Sequence, residues 1–340
     1  MAADGTAVWG DRAFAGLSLF RGAAAYDTAA RWKGVFAAGN NGTSEIGELG
    51  RHFRCSAAQA TAPKRQWLRL LCTELLKENG GFLVKQTALA PVRVVDGTVV
   101  KESGRTGSQW RILYSLQLPS LVCDFFAVTG TIGEGNGESL NRLPVVPHEI
   151  ILADAGFCSV AGIECVHQRG ADVLVRINPQ SFVAFSPQGA RVALTVRLQG
   201  LSRAGQMVQW PVVLHGPRSS SSGRVCAMRK SDLAIRLAHR RLRLRSSKKQ
   251  MRTRPETLEI AKYVLVFTTR SVGSAEEILQ LYRIRWQIEL AFKRLKSLAQ
   301  LGHLPKHDGQ SSRAWLFGKL FVVLLAQKAI RVGRDISLSG

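Results

Sequence analysis

The sequence predicts an α/β fold that carries an insertion, and three features lead to this expectation. A block between residues 92 and 129 is rich in residues that favour β-strands. The short apolar run Ile150 to Ala153 stops at a turn-forming sequence, as a buried strand does. A long helical pattern runs from about Ser274 to Ala299 after further strand-like segments. This order of elements, with one group of strands, a second group of strands and then a final helix, indicates an α/β arrangement that carries an insertion.

The individual elements follow from periodicity and from turn residues. We expect strands in eight runs, at residues 92–100, 110–118, 121–129, 150–153, 171–177, 190–198, 208–214 and 263–269. Apolar residues at helical spacing predict a helix over 64–77. The long helix begins with Ser274 and Glu277, which are spaced as a capping box.

Composition restricts the class of protein. With 46% hydrophobic and 21% charged residues, the 340-residue chain is not disordered, collagen-like or a small disulfide-rich protein. The 47 Lys and Arg outnumber the 24 Asp and Glu, so the net charge is +23. Such an excess attracts polyanions. We expect nucleic acid rather than an anionic membrane, because no lipid-anchoring signal accompanies a basic amphipathic helix.

Targeting features point to the cytoplasm. The N-terminus has no basic region followed by an apolar stretch, so we expect no secretory signal. The apolar run Trp315 to Ala326 contains Gly318 and Lys319 and is well short of the roughly 20 residues that span a bilayer. The six cysteines form no Cys-x-x-Cys pair, which favours buried thiols in a reducing compartment over a zinc site.

The segment from Arg229 to Arg254 is strongly basic. It holds 11 Lys and Arg against one acid, a net charge of +10 in 26 residues. A solvated helix face normally mixes charges of both signs, so we favour contact with a phosphate backbone over a flexible charged loop. The candidate DNA-binding residues of this segment are Arg240, Arg241, Arg243, Arg245, Lys248 and Lys249.

Four polar residues of the long helical pattern share one stripe. At 100° per residue, Tyr282, Arg285, Glu289 and Lys296 project within about 60° of one another, next to an apolar face. A carboxylate between a phenol and two cations is unusual for a solvent-facing surface. The alternative is an amphipathic helix in which Arg285 and Glu289 form an ordinary salt bridge.

Two aspartates follow apolar runs elsewhere in the chain. Asp96 comes after Val92 to Val95, and Asp154 comes after Ile150 to Ala153. Each also precedes a glycine closely, so each alone is explained by a turn. Together with Glu289 they form a set of carboxylates that can hold two divalent cations for phosphoryl transfer. Oxygen ligands favour Mg²⁺ or Mn²⁺ over zinc.

The pattern Tyr-x2-Arg-x3-Glu-x6-Lys at residues 282–296 resembles the Tyr-Arg-Glu-Lys signature of bacterial insertion-sequence transposases of the IS-four family. The segments around Asp96 and Asp154 fall where that family has its two aspartate motifs. The resemblance covers roughly residues 62 to 330 and implies a ribonuclease-H-like catalytic domain interrupted by a mostly β insertion, after a helical or irregular N-terminal region.

The resemblance also implies a domain layout. We expect a poorly defined N-terminal region at 1–60, a helical lead-in at 61–90, the first part of the catalytic domain at 91–177, a β-rich and basic insertion at 178–258, the rest of the catalytic domain with the signature helix at 259–330, and a tail at 331–340.

Carried over residue by residue, the resemblance assigns roles to six side chains. The metal-binding and catalytic carboxylates would be Asp96, Asp154 and Glu289. The contacts to the phosphates of the element end would be Tyr282, Arg285 and Lys296. The expected function is a DNA transposase that cleaves insertion-sequence ends and joins them to target DNA with Mg²⁺, which Mn²⁺ can replace. The expected partners are inverted-repeat ends, target DNA and a second copy of the chain, in the bacterial cytoplasm at the nucleoid.

The sequence departs from the family pattern at several positions. Ala155, Phe157 and Ser103 stand where the family commonly has Arg, Tyr and Pro, and residues 1–60 do not resemble its helical end-recognition region. Two alternative functions therefore stay open. One is a catalytically impaired or truncated descendant that binds DNA or inhibits an intact relative. The other is a metal-dependent nuclease that hydrolyses DNA without joining it.

Overall fold

The computed structural model describes residues 69, 71–76, 90–101, 109–132, 137–302, 304 and 309–338. These residues belong to two compact units. The mixed-sheet unit contains Ser139–Arg285, and the meander unit contains the described residues before Ser139 and after Arg285. Both units combine strands with helices, so the α/β class is confirmed. The expected region at 1–60 and Ser103 lie outside the described residues.

The elements have the following bounds. The strands are β1 (Val92–Lys101), β2 (Gln109–Leu118), β3 (Val122–Gly130), β4 (Ile150–Ala153), β5 (Asp172–Arg176), β6 (Met207–His215), β7 (Ser220–Arg229) and β8 (Tyr263–Thr268). The α-helices are α1 (Val160–Gln168), α2 (Leu194–Leu198), α3 (Asp232–Lys248), α4 (Pro255–Ile260), α5 (Ala275–Arg283), α6 (Trp286–Ser297) and α7 (Gly309–Leu338). Residues 71–76 are helical, in agreement with the helix expected over 64–77.

The meander unit is built on three antiparallel strands in the order β3-β2-β1. Its core lies where α6 packs on β1 and α7 packs on β3. The ring of Phe292 on α6 lies 5.9 Å from that of Tyr114, and Phe317 on α7 lies 5.9 Å from Phe126. Aromatic pairs at this separation add to the stabilisation that comes from buried area alone.

A β-bulge in β3 places a charged pair inside the meander unit. Ser115 pairs with Phe125 and Leu116 pairs with Cys123, so Asp124 is the extra residue of the bulge. Its carboxylate oxygen lies 2.6 Å from Nε of Arg93, and both side chains are almost completely buried. Its other oxygen accepts a hydrogen bond from the Ser115 hydroxyl.

The mixed-sheet unit has five strands in the order β4-β5-β8-β7-β6. β4 and β5 are parallel, with Ala153 paired to Val175, and the remaining pairs are antiparallel. All four residues of β4 are buried, as expected for a short apolar strand covered on both faces. The helix α1 between β4 and β5 forms the crossover that a parallel pair requires.

Two strand predictions differ from the structure. The strand expected over 190–198 is wrong, because residues 194–198 form the short helix α2. Sequence reasoning missed β7, whose first residues are a serine run followed by Gly223 and therefore suggest a loop. Gly223 is required at its position, since a Cβ there would lie 2.5 Å from the backbone oxygen of Thr268.

The long helix expected from Ser274 to Ala299 is interrupted. Its start is confirmed, because Ser274 and Glu277 form the capping box. However, α5 ends at Arg283 and α6 begins at Trp286. The amides of Ile284 and Arg285 bond to carbonyls three residues earlier, at 3.1 Å each, which tightens the chain into a 3₁₀-type turn. No glycine or proline marks this interruption, so the periodicity could not reveal it.

The described helices include none with the length and apolar content that crossing a membrane would require. This observation agrees with the interrupted apolar run noted in the sequence at Trp315 to Ala326.

The buried pair of Arg93 and Asp124 generates a stability prediction. Asp124→Asn keeps the size of the side chain but removes the anion beside a buried guanidinium, so we expect the free energy of unfolding to fall by about 3–5 kcal/mol. The matched control is Glu138→Gln, because Glu138 pairs with Arg111 at 3.0 Å in a half-exposed site of the same unit. That change should cost only about 0–1 kcal/mol. Urea unfolding measures both, and equal losses would contradict the prediction.

Candidate active site

Asp154 lies directly beyond the end of β4, as the sequence predicts. It is half-buried and precedes the 3₁₀ turn Ala155–Phe157. Its Oδ1 atom is buried and has no hydrogen-bond partner among the described residues. A buried carboxylate oxygen without a donor is costly unless a cation or another ligand satisfies it. Asp154 is therefore the first candidate of the site.

Arg176 lies beside Asp154 because of strand register. Ala153 pairs with Val175 in the parallel β4–β5 ladder, so the next residues along the two strands are Asp154 and Arg176. The carboxyl ends of parallel strands meet at one edge of a sheet. Arg176 is exposed there. Sequence reasoning did not select it, although its position at the end of the run 171–177 was a usable signal.

Tyr282, in the last turn of α5, lies near these two residues. Its side chain is buried, and burial is the main reason that the pKa of its phenol is raised above the usual value. The Asp154 carboxylate also raises this pKa, whereas Arg285 and Arg176 lower it. The guanidinium carbon of Arg285 lies 5.9 Å from the centre of the Tyr282 ring. Asp154, Arg176, Tyr282 and Arg285, all in the mixed-sheet unit, are called the Asp154 cluster below.

Asp96 lies in the meander unit, within β1 rather than at its end. Residues 92–101 form one continuous strand, so the interpretation of Asp96 as a turn residue is wrong. Its Oδ1 accepts a hydrogen bond from the amide of Gly97 at 2.7 Å. Asp96 pairs with Tyr114 of β2, and paired residues place their side chains on the same face of a sheet.

Glu289 lies on the helix that covers this face of β1. Phe292 of α6 packs against Tyr114, the cross-strand neighbour of Asp96, and Glu289 lies three residues before Phe292. Residues three apart on a helix are neighbours on its surface. Glu289 is exposed, as is Lys296 two turns further along α6.

The interruption between α5 and α6 changes the expected stripe. Tyr282 precedes the turn, Arg285 lies within it, and Glu289 and Lys296 follow it. A projection that assumes one continuous helix therefore fails between Arg285 and Glu289. The alternative, a salt bridge between Arg285 and Glu289, stays a prediction.

The carboxylates have the chemistry of ligands for a hard divalent cation. Oxygen donors alone favour Mg²⁺ or Mn²⁺, and the buried Oδ1 of Asp154 lacks a donor among the described residues. The described part of the chain has no group of three or more His, Cys, Asp or Glu side chains that could hold a metal ion. The three-carboxylate site stays a prediction.

The basic segment forms the helix α3, which Ser231 caps through a hydrogen bond from the amide of Ala234. All six of its candidate DNA-binding residues are exposed. Five of them occupy two sides of the helix, and Lys249 directly follows it. Residues 236, 240 and 243 follow a spacing of four and three on one side, and residues 241, 245 and 248 follow the same spacing on the other.

One family and several known proteins are similar to this chain. Residues 88–325 match the family described as the transposase DDE domain. The chain is 30% identical over 281 residues to InsL of the insertion sequence element IS186A from Escherichia coli, across 79% of this chain and 74% of InsL. It is equally identical, over the same length and 73% of the relative, to the transposase of IS421 from Escherichia coli. The transposase of IS231F from Bacillus thuringiensis subsp. israelensis is 21% identical over 209 residues, which span 56% of this chain and 44% of that protein.

The raised pKa of Tyr282 predicts a stability effect at alkaline pH. In the unfolded chain a tyrosine ionises near pH 10, while in the fold the phenol stays protonated to higher pH. The contribution of the raised pKa to the free energy of unfolding is therefore fully present below about pH 10. It is lost above this pH, by up to about 1.4 kcal/mol per pH unit. Relative to Tyr282→Phe, the wild type should lose stability between pH 9 and pH 11, measured by urea unfolding. A constant difference over this range would contradict the burial of the hydroxyl.

Proposed function

This chain belongs to the DDE-domain transposases of insertion sequences, and we propose that Asp96, Asp154 and Glu289 are the carboxylates that hold its divalent cations. The chain is an enzyme of DNA cleavage and transfer. The observation that carries the assignment of residues is the buried Oδ1 of Asp154, which has no donor among the described residues although the cluster contains Arg176 and Arg285. On its Tyr-Arg-Glu-Lys signature we place the chain in the IS-four family, whose catalytic domain is ribonuclease-H-like.

Mg²⁺ is the cation that the donor set fits best, and Mn²⁺ can replace it. Bound cations would stabilise negative charge on the attacking and leaving oxygens of a phosphoryl transfer. Asp96 is half-buried and Glu289 is exposed, so neither carboxylate is enclosed in the core and both suit the binding of a cation.

The other side chains of the signature would hold the DNA. The Tyr282 phenol is protonated at neutral pH, as any tyrosine is, and burial raises its pKa further, so its hydroxyl can donate to a phosphate oxygen. Arg285 supplies a permanent positive charge beside that ring. Lys296 is exposed on α6 and can reach a phosphate without prior rearrangement of the core. These contacts position a strand, whereas the carboxylates act on its phosphate.

The natural substrate would be the pair of inverted-repeat ends of the chain's own element, followed by target DNA. Two ends must be held together for joining, and a homodimer in the DNA complex gives each end one set of catalytic residues. The net charge of +23 would keep such a protein on the nucleoid.

Glu289→Gln tests the carboxylate assignment. The change preserves size and helix propensity but removes the charge that holds a cation, so nicking of element-end DNA should fall by orders of magnitude. DNA binding should survive, because an anion near phosphates has been removed. Lys296→Ala should instead weaken binding of the end. The measurements are a nicking assay in Mg²⁺, a gel shift in Ca²⁺ and thermal unfolding.

Two control variants make this test specific. Glu276→Gln removes an exposed carboxylate of α5 that bonds only to Gln280 in the described structure, and Lys293→Ala removes another exposed lysine of α6. Both should behave like the wild type. Retained nicking by a folded Glu289→Gln protein, or nicking that persists in a chelator, would overturn the metal-carboxylate assignment.

The helix α3 generates a prediction about salt dependence. Because its arginines are exposed and offer charge rather than base-specific groups, neutralising Arg240, Arg241, Arg243 and Arg245 should weaken binding to all DNA sequences alike. The slope of log K against log salt should become shallower by about 0.9 for each phosphate that the variant no longer neutralises. An unchanged slope in a titration between about 50 and 200 mM salt would refute backbone contact by α3.

A further inference from the structure

We propose that Arg176, Lys230 and Arg241 form a binding site for one DNA phosphate, which links the Asp154 cluster to the basic side of α3. The inference rests on the proposed function only in taking DNA as the substrate. It adds two residues, Arg176 and Lys230, that the signature does not include, and it selects one side of α3 as the side that faces the DNA.

Strand directions bring these residues to one edge of the mixed-sheet unit. β5 runs antiparallel to β8, and β8 runs antiparallel to β7, so β5 and β7 end at the same edge. Arg176 is the last residue of β5, and Lys230 directly follows β7. Because β4 is parallel to β5, Asp154 also lies at this edge. α3 begins two residues after Lys230, so it leaves the sheet from the same edge.

Lys230 is held in place with part of its hydrogen-bonding capacity unused. Its Nζ donates to the carbonyl of Ala261 at 2.7 Å, and its amide donates to the carbonyl of Lys262 at 2.9 Å. An ammonium group has three N–H donors, and the described structure shows an acceptor for one of them. The other donors are available for a phosphate oxygen.

The electrostatics around Lys230 favour the binding of an anion. Its pKa is lowered to about 8, first by burial and then by the charges of Arg176 and Arg241. The nearby carboxylates are engaged elsewhere, since Asp232 lies 3.6 Å from Arg229 and Glu259 lies 2.5 Å from Lys262. Glu259 also accepts from the Tyr263 hydroxyl at 3.5 Å. Asp154 lies beside Arg176 at this edge, yet the charges of Arg176 and Arg241 still lower the pKa of Lys230. A phosphate would relieve this repulsion among the three cations.

A row of basic residues extends from the proposed phosphate site along one side of α3. Arg241, Arg245 and Lys248 follow the spacing that places residues on one side of a helix, and all three are exposed. Seven residues of helix rise about 10 Å, so this row can follow a DNA backbone away from the site. Arg240 and Arg243 lie on the other basic side of α3, which does not include Arg241, the residue of α3 whose charge acts on Lys230.

The experiment is a double-mutant cycle on DNA binding by the full-length protein in EDTA. The probe is a fluorescein-labelled duplex of about 30 base pairs, titrated at several salt concentrations. Lys230→Met and Arg241→Gln should each weaken binding roughly tenfold, as expected for loss of a charge-assisted hydrogen bond. If both residues hold one phosphate, the double variant should lose much less than the product of the two single losses. Lys230→Arg should retain most of the binding.

Matched controls separate this site from the general charge of the protein. Lys262→Met removes a lysine of the same edge whose charge is already paired with Glu259, so binding and salt slope should stay unchanged. Arg243→Gln combined with Lys230→Met should give the product of the two single effects, because Arg243 lies on the other side of α3 and is not part of the proposed site. Arg176→Gln removes an exposed side chain, so it tests the site even where Lys230→Met lowers the thermal unfolding temperature.

Two outcomes would overturn the proposal. The first is a Lys230→Met and Arg241→Gln double variant whose loss equals the product of the single losses. The second is an Arg176→Gln variant with the affinity of the wild type. Because no divalent cation is present, a failure of the carboxylate assignment would appear only in the nicking assay, and a failure of the phosphate site only in this cycle.

Discussion

The parallel pairing of β4 with β5 determines what the mixed-sheet unit can do. With Ala153 opposite Val175, the residues that leave the two strands are an acid and a base, Asp154 and Arg176. A shift of the register by one residue would separate them and would turn the buried side chains of β5 to the other face. The antiparallel strands β8 and β7 then bring Lys230 to the same edge. The proposed phosphate site therefore follows from strand order.

The meander unit positions its carboxylates by a different constraint. Asp96 lies inside a paired strand, so the ladder to Tyr114 fixes its position and no turn is needed. Its function as a ligand would depend on the rigidity of β1 and β2. The bulge at Asp124 contributes to this rigidity, because it inserts a carboxylate beside the buried Arg93 on the same three strands. Formation of a buried ion pair adds little net stability, but removal of one partner destabilises the fold strongly.

Much of the fold could be predicted because local patterns coincide with tertiary structure. The alternation of β1 to β3, the apolar run of β4 and the capping box of α5 are visible in the sequence and present in the structure. β7 could not be predicted, because its serine run depends on a distant residue. The buried Glu164 of α1 accepts hydrogen bonds from the amides of Arg218 and Ser219 and from the Ser219 hydroxyl, which fixes the turn that precedes β7.

The residues of the site were predictable by type but not by arrangement. Their spacing identified Tyr282 and Glu289, yet the helix between them is interrupted by a turn with bonds to carbonyls three residues earlier. Arg176 and Lys230 carry no motif, and each is a single cation at the end of an ordinary strand. Their relation appears only when strand directions are known, since 54 residues separate them in the chain.

Burial shifts the pKa values of two titratable groups that flank this edge. It raises the pKa of the Tyr282 phenol and lowers that of the Lys230 ammonium, so it favours the neutral form of both groups. For Tyr282 the neutral form is the one that donates a hydrogen bond at neutral pH. For Lys230 the neutral form is not yet dominant at pH 7, because its pKa stays near 8. A phosphate anion would stabilise the charged ammonium, whereas near Tyr282 it would disfavour the phenolate. One ligand therefore keeps both groups protonated, the phenol as a donor and the lysine as a cation, and this is the state that holding DNA requires.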